Sequence, residues 1–238
     1  MTATRFAKFD GLMADWKFRH LFSLAIVAAL VWGFALMRPE WSPMHKWNRA
    51  FGDASFLVVA IVMVLGPLSR LFRPFARTLP WRRELGVWGF LAGVVHAGFI
   101  LVGWVDLEII RLFGFQFHPQ LFQYVMVDKG FGLGNVIGIL ALVYGLILAL
   151  TSNDISQKWL GMGIWKYFQQ GAYILWSLLV AHTAYFLFLH FLDFHRSIPE
   201  PNIIRWPFVG LVVFVLALQT WASLKTWRLR KNRAAFPA

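Results

Sequence analysis

The chain has 238 residues, 59% of them hydrophobic and 14% charged, with a mean hydropathy of +0.60. A soluble domain carries about a quarter charged residues, so this composition excludes a disordered chain and argues against an ordinary cytosolic enzyme. There is no cysteine, which removes disulfides, thiolate zinc sites, cysteine-ligated iron–sulfur clusters and C-x-x-C-H haem attachment. The net charge of +12 fits either nucleic acid or loops lying on anionic lipid, and the placement of the charges decides between them.

A helix crossing the hydrocarbon core needs about 20 apolar residues. Read in chain order, the runs free of Asp, Glu, Lys and Arg are His20–Met37, Ala54–Ser69, Leu85–Val105, Gly130–Asn153, Tyr167–Leu192 and Trp206–Leu224. They predict an all-α, polytopic membrane protein: a bundle of six transmembrane helices within residues 20–224, preceded by an interfacial segment 1–19 and followed by a basic tail 225–238. In the leading segment Phe6, Phe9, Met13 and Trp16 share a stripe, as on a helix lying in the membrane surface. The first run lacks the A-x-A site of a cleaved leader and its lead carries Asp10 and Asp15. The second run is short and contains Gly66-Pro67, so a kink or early end is expected there. No repeat of 20–50 residues is visible.

With the N-terminus taken as cytoplasmic, sixteen Lys and Arg fall on the cytoplasmic side and seven on the other. This bias predicts both termini inside, and it explains the basic charge without nucleic acid. Trp32, Trp41, Trp47, Trp104, Trp165, Trp206 and Trp221 lie near span ends, as interfacial anchors do. Trp88 and Trp176 lie deeper, where core packing or a cofactor flank would both suit them.

The apolar runs lack acidic and basic residues, which argues against a pump or ion-coupled transporter. They do contain histidine. His96 lies 11 residues past Leu85 and His182 15 past Tyr167, depths of roughly 17 and 22 Å from the same membrane face. Two imidazoles at matched depth, with neither thiolate nor carboxylate, suggest axial ligation of a b-type haem. Gly89, Ala92, Gly93 and Gly103 share a helical face with His96. They form either a groove for a flat porphyrin or a small-residue seam for close helix packing.

The segments Gly66-Pro67-Leu68-Ser69-Arg70, Arg82-Arg83-Glu84-Leu85-Gly86 leading to His96, and Leu150-Thr151-Ser152 followed by Trp165-Lys166 and His182 resemble ferric-reductase-type transmembrane domains over about residues 45–192. Within that family the chain is most similar to the MsrQ (YedZ) subfamily, haem-binding membrane subunits of bacterial inner membranes that serve a periplasmic methionine-sulfoxide reductase. The resemblance implies six helices with haem b between the third and fifth, and His96 and His182 as its axial ligands. The family pattern usually has a further His thirteen residues before the second ligand. Here that residue is Gln169, and the corresponding positions before His96 are Arg83 and Arg82, so one haem is implied. The implied partners are the lipid bilayer, a cytosolic flavin reductase as donor and a periplasmic, molybdenum-containing oxidoreductase as acceptor, with FMN as a candidate second cofactor.

Arg77, Arg82 and Arg83 belong to a basic cluster with two readings: positive-inside topology, or a clamp for a flavin phosphate or docking donor. Only 14 residues follow Leu224 and carry no G-x-G-x-x-G, so the electron donor is expected to be separate from this chain. His190 is expected near the membrane boundary, bonded to water, with an alternative role as haem ligand or propionate neighbour. His45, His118 and His195 fall in outer loops, as solvated residues or as a three-His metal site, and His20 is interfacial. Two other functions compete: a quinol-oxidising b-type cytochrome, and a haem-free membrane scaffold or small-solute transporter.

Overall fold

The computed structural model describes residues 15–190 and 203–235. Six helices are long and apolar enough to cross a membrane, so the chain is a multi-pass membrane protein with an all-α transmembrane body. They are α1 (Trp16–Leu36), α2 (Pro43–Leu71), α3 (Trp81–Gly103), α4 (Lys129–Thr151), α5 (Asp154–Ala184) and α6 (Arg205–Ala235). Phe6, Phe9, Met13 and His195 lie outside the described residues.

Local chemistry starts the helices where they start. Asp15 accepts the amide of Lys17 ahead of α1, Asp128 that of Phe131 ahead of α4, and Asn153 that of Ser156 ahead of α5. Each satisfies one of the four amides that a helix start leaves without a backbone partner. Helix α2 opens with Pro43, whose missing N–H costs nothing in a first turn. Helix α5 breaks at Gly161, where φ is 74°, a backbone state that glycine adopts at little cost. Trp165 then donates its indole N–H to Thr151 O at 2.8 Å and stitches the start of the long span to the end of α4.

Helix α2 is the shaft of the bundle. Ala50, Ala54 and Val58 on one face pack with Val27 and Val31 of α1 and Leu85 and Ala92 of α3. Phe56, Val59 and Met63 on another pack with Trp176 of α5 and Phe208 and Val215 of α6. At 29 residues it is about 43 Å long, beyond the roughly 30 Å of hydrocarbon. The spans therefore do carry charge, contrary to the reading from uncharged runs: α2 begins eleven residues before Ala54 and includes Arg49 and Asp53. Arg38 pairs with Asp53 in a buried ion pair, which offsets part of the cost of burying that carboxylate. Pro67 sits inside α2, and the helix runs one further turn to Leu71, so the expected early end does not occur. At the other face Arg19 of α1 holds the buried Glu84 of α3 at 2.9 Å.

The α3–α4 connection contains secondary structure that the apolar runs did not indicate. A 3₁₀ turn, Ile109–Phe113, leads into an antiparallel hairpin of β1 (Phe115–His118) and β2 (Gln123–Met126). The membrane face with this connection is called the hairpin face below, and the one with the start of α1 the opposite face.

Helices α2 and α3 approach closely. A Cβ on Gly89 would lie 3.0 Å from Val58, and Ser55 Oγ donates to Gly89 O at 2.8 Å. Gly89→Leu should therefore destabilise the bundle by about 1–3 kcal/mol through overpacking. Thermal unfolding in detergent micelles reads this as a lowered midpoint, and an unchanged midpoint would contradict the packing.

Candidate functional site

His96 projects from α3 and His182 from α5. These helices pack mainly on other neighbours, α3 on α2 and α5 on α4, and the two imidazoles meet across a cavity. Their ring centres are 6.3 Å apart and their planes are inclined at 82°. The depth match read from the helical rise is thus realised in space.

Each ring is fixed in the same way. His96 Nδ1 lies 3.0 Å from Asn48 O of α2, and His182 Nδ1 lies 2.9 Å from Gly134 O of α4. A carbonyl oxygen only accepts, so both Nδ1 atoms carry the proton and donate it. Nε2 is then the ring atom of each histidine with a free lone pair. One turn further along each supporting helix stands a glycine against the ring. A Cβ on Gly52 would lie 3.0 Å from His96 Nδ1, and one on Gly138 would lie 2.8 Å from His182 Cε1.

The two halves of the site repeat one pattern. Accepting carbonyl and histidine are 48 residues apart in both, glycine and histidine 44 apart in both, and the second set follows the first at an offset of 86 residues. That period is too long to register as a short repeat, so sequence reading missed Gly52 and Gly138. The signal was present as a glycine four residues after each residue whose carbonyl accepts from a histidine.

A first-row metal bonded to two imidazoles at about 2.0–2.1 Å, with each ring centre about 1.1 Å behind its nitrogen, sets the ring centres about 6.3 Å apart. The observed separation fits that arrangement. Among the described residues no three His, Asp or Glu side chains gather as a metal site.

The cavity measures about 870 Å³, at the upper end of the size range of cofactor sites. The histidines lie toward the hairpin face, about 8–13 Å by helical rise from the starts of α2 and α4. From there the space runs toward the opposite face between Phe90, Leu142 and Leu179, ending among Arg82, Arg83, Gln157, Gln169 and Tyr173. Arg49 and Asp53 also line it.

The expected groove is largely elsewhere. Gly93 lines the cavity, whereas Gly89 faces Val58, Ala92 is buried in the cluster with α1 and α2, and Gly103 receives the Met44 side chain. The small-residue face of α3 is chiefly a helix-packing seam, because α2 approaches it closely. Of the basic cluster, Arg82 and Arg83 reach the cavity mouth and Arg77 does not line it. Arg83 donates to Ser152 O and to Asp154, which joins the start of α3 to the α4–α5 corner. Arg82 also borders a side pocket of about 280 Å³ with Gly66, Arg70 and Tyr173. Gln169 donates to Thr151 Oγ1 at 3.0 Å.

His190 is buried within the protein rather than solvated, a correction to the expected bond to water. After Ala184 helix α5 loosens into a π turn, Tyr185–Leu189. Residues eight apart on an α-helix are about 80° out of line, and the wider turn rotates His190 back toward the face of His182. Phe186 sits between them, its ring centre 5.0 Å from His182 and 5.2 Å from His190. Trp88 and Trp176 are core residues: Trp176 stacks on Phe56 at 5.2 Å, and Trp88 packs against the α1–α2–α3 cluster. His45 is engaged by Ser42 and packs on Trp104, His118 belongs to β1, and His20 packs against Trp16.

Gly52→Val and Gly138→Val should each displace the adjacent imidazole. For a chromophoric cofactor held by this imidazole pair, the geometry predicts a loss of occupancy of at least tenfold in both, measured as bound chromophore per purified chain. Full occupancy in either variant would contradict the seat described for that ring.

Residues 51–180 match the family described as ferric reductase like transmembrane component. The match covers more than half of the chain and contains Gly52, His96 and Gly138. The chain belongs to the ferric reductase like transmembrane component family.

Proposed function

We propose that this protein is a membrane electron-transfer subunit that holds one haem b between His96 and His182. It takes electrons from a flavin or flavoprotein donor on the cytoplasmic side and delivers them to a periplasmic oxidoreductase, as in the MsrQ-like role. The observation that carries the reading is the imidazole pair at 6.3 Å, with both Nδ1 atoms committed to backbone carbonyls. Family membership adds membrane electron transfer as the general class.

Haem b, when bound, supplies a one-electron iron centre. The chain supplies the rest. His96 and His182 each present a neutral Nε2, and the carbonyls of Asn48 and Gly134 orient the rings and raise their basicity. Gly52 and Gly138 let the supporting helices stand directly behind the imidazoles. Phe90, Leu142 and Leu179 keep the middle of the cavity apolar. Arg49, Arg82 and Arg83 place positive charge around it, which suits a ligand bearing carboxylate or phosphate. Gln169 offers an amide rather than an imidazole at the deeper position, which supports a single haem.

The Lys and Arg bias makes the hairpin face periplasmic in this reading, in a bacterial inner membrane. The histidines then lie near the acceptor side, and the remaining cavity faces the donor. Its polar mouth, with Gln157, Gln169, Tyr173 and Arg82, suits the ring of a flavin such as FMN, and Arg82 suits its phosphate. The same mouth would take a quinol. Rapid haem reduction by a flavin reductase with its nicotinamide, and none by a quinol analogue, supports the flavin donor, and the opposite pattern selects the quinol.

His96→Ala and His182→Ala should each lose the haem, whereas Gln169→Ala should retain it. Pyridine haemochrome content per chain measures this. Retention of haem in the double His variant would overturn the ligand assignment.

A further inference from the structure

The connection between α3 and α4 does not look like a loop immersed in water. Residues 112–127 contain no Asp, Glu, Lys or Arg, and five of these sixteen are Phe or Tyr. Side chains alternate across a strand, and the register pairs Phe115 with Met126 and Phe117 with Tyr124. Those four residues share one face of the hairpin. Gln116, paired with Val125, and His118, paired with Gln123, lie on the other.

The aromatic face is open. Phe117 and Tyr124 pack edge to face at 5.6 Å, yet both remain about half exposed, and Phe122 at the tip is 84% exposed. An apolar patch of this kind on a protein surface marks a contact with another phase or molecule.

We propose that this hairpin lies on the bilayer, with its Phe117–Tyr124 face and Phe122 tip in the lipid interface and the exposed Gln116 on the other face toward water. Three observations select lipid as the occupant. The hairpin springs from the membrane-boundary ends of two spans, and those ends themselves expose apolar residues, Val102 of α3 and Leu133 of α4. The absence of charge over sixteen residues offers nothing to steer or register a protein partner, whereas aromatic residues gather at the headgroup level of membranes. A two-stranded ribbon also leaves backbone N–H and C=O groups along both outer edges. These require water or headgroups and hold the hairpin at the interface rather than in the hydrocarbon.

The hairpin is fixed firmly enough for its depth to matter. Gly114, with φ of 85°, accepts the amides of Val127 and Asp128 at its base. Asn135 of α4 donates to Leu112 O at 3.0 Å, and Leu112 and Asn135 both line the cavity that contains the histidines. Lipid contact at the tip thereby braces the wall of the site on the hairpin face.

The chain has no cysteine, so single nitroxide labels can be placed cleanly. The test uses full-length Phe117→Cys, Phe122→Cys and Gln116→Cys variants in nanodiscs of phosphatidylethanolamine and phosphatidylglycerol. Collision with oxygen, which concentrates in lipid, is compared with collision with a water-soluble nickel chelate by electron paramagnetic resonance. The proposal predicts an oxygen-to-chelate ratio several-fold higher at 117 and 122 than at 116. Equal, chelate-accessible values at all three positions would overturn it. Shielding of 117 and 122 from both reagents would also overturn it and indicate a protein contact instead. Neither result depends on haem being bound, so the lipid contact and the electron-transfer reading fail separately.

Discussion

Two hydrogen bonds from imidazole to backbone carbonyl organise this protein. Each commits one ring nitrogen to a neighbouring helix, His96 to Asn48 O and His182 to Gly134 O, and leaves the other as a lone-pair donor. An intramembrane histidine without such a partner would spin about its χ angles and bury an unsatisfied N–H, at a cost of about 1–3 kcal/mol. The carbonyl resolves both problems and settles the tautomer. Because the pattern occurs twice, at an offset of 86 residues, two similar helix pairs bring their imidazoles to 6.3 Å while α3 packs mainly on α2 and α5 mainly on α4. The interval between those helices is the cavity.

Helix α2 makes that interval possible. It contacts α1, α3, α5 and α6 and supplies Asn48 and Gly52 to the site. Its length carries Arg49 and Asp53 into the bundle beside the histidines, with Asp53 held by Arg38. A shaft packed on several sides holds its backbone carbonyls in place, and rigid second partners are what fix a ligand's orientation. The opposite face is tied by Arg19 with Glu84 and by Arg83 with Ser152 O and Asp154, so the cavity mouth is framed by ion pairs on three helices.

Much of this was legible in the residue order. Six spans follow from apolar runs alone, and His96 and His182 stand out because ionisable residues inside a membrane are costly and rare. Other features were hidden for definable reasons. The true start of α2 was obscured because Arg49 and Asp53 read as loop residues until their pairing is seen. The small residues around His96 left a porphyrin groove and a packing seam both open, because helical spacing reports which residues share a face, not what that face meets. Val58 and Met44 occupy most of that face, and the glycines that do back the imidazoles come from other helices. His190 was read as solvated from its rise along the helix alone, which reports neither the π turn after Ala184 nor the burial of its side chain. The hairpin escaped notice because four-residue strands leave too short a pattern to separate from a loop.

The central claim is that a single haem b is held by His96 and His182. The most direct measurement is the dithionite-reduced minus oxidised absorption spectrum of the purified full-length protein, combined with haem and protein quantification. The account predicts a low-spin b-type α band and one haem per chain. A preparation that folds but shows no α band, or that binds two haems per chain, would contradict it.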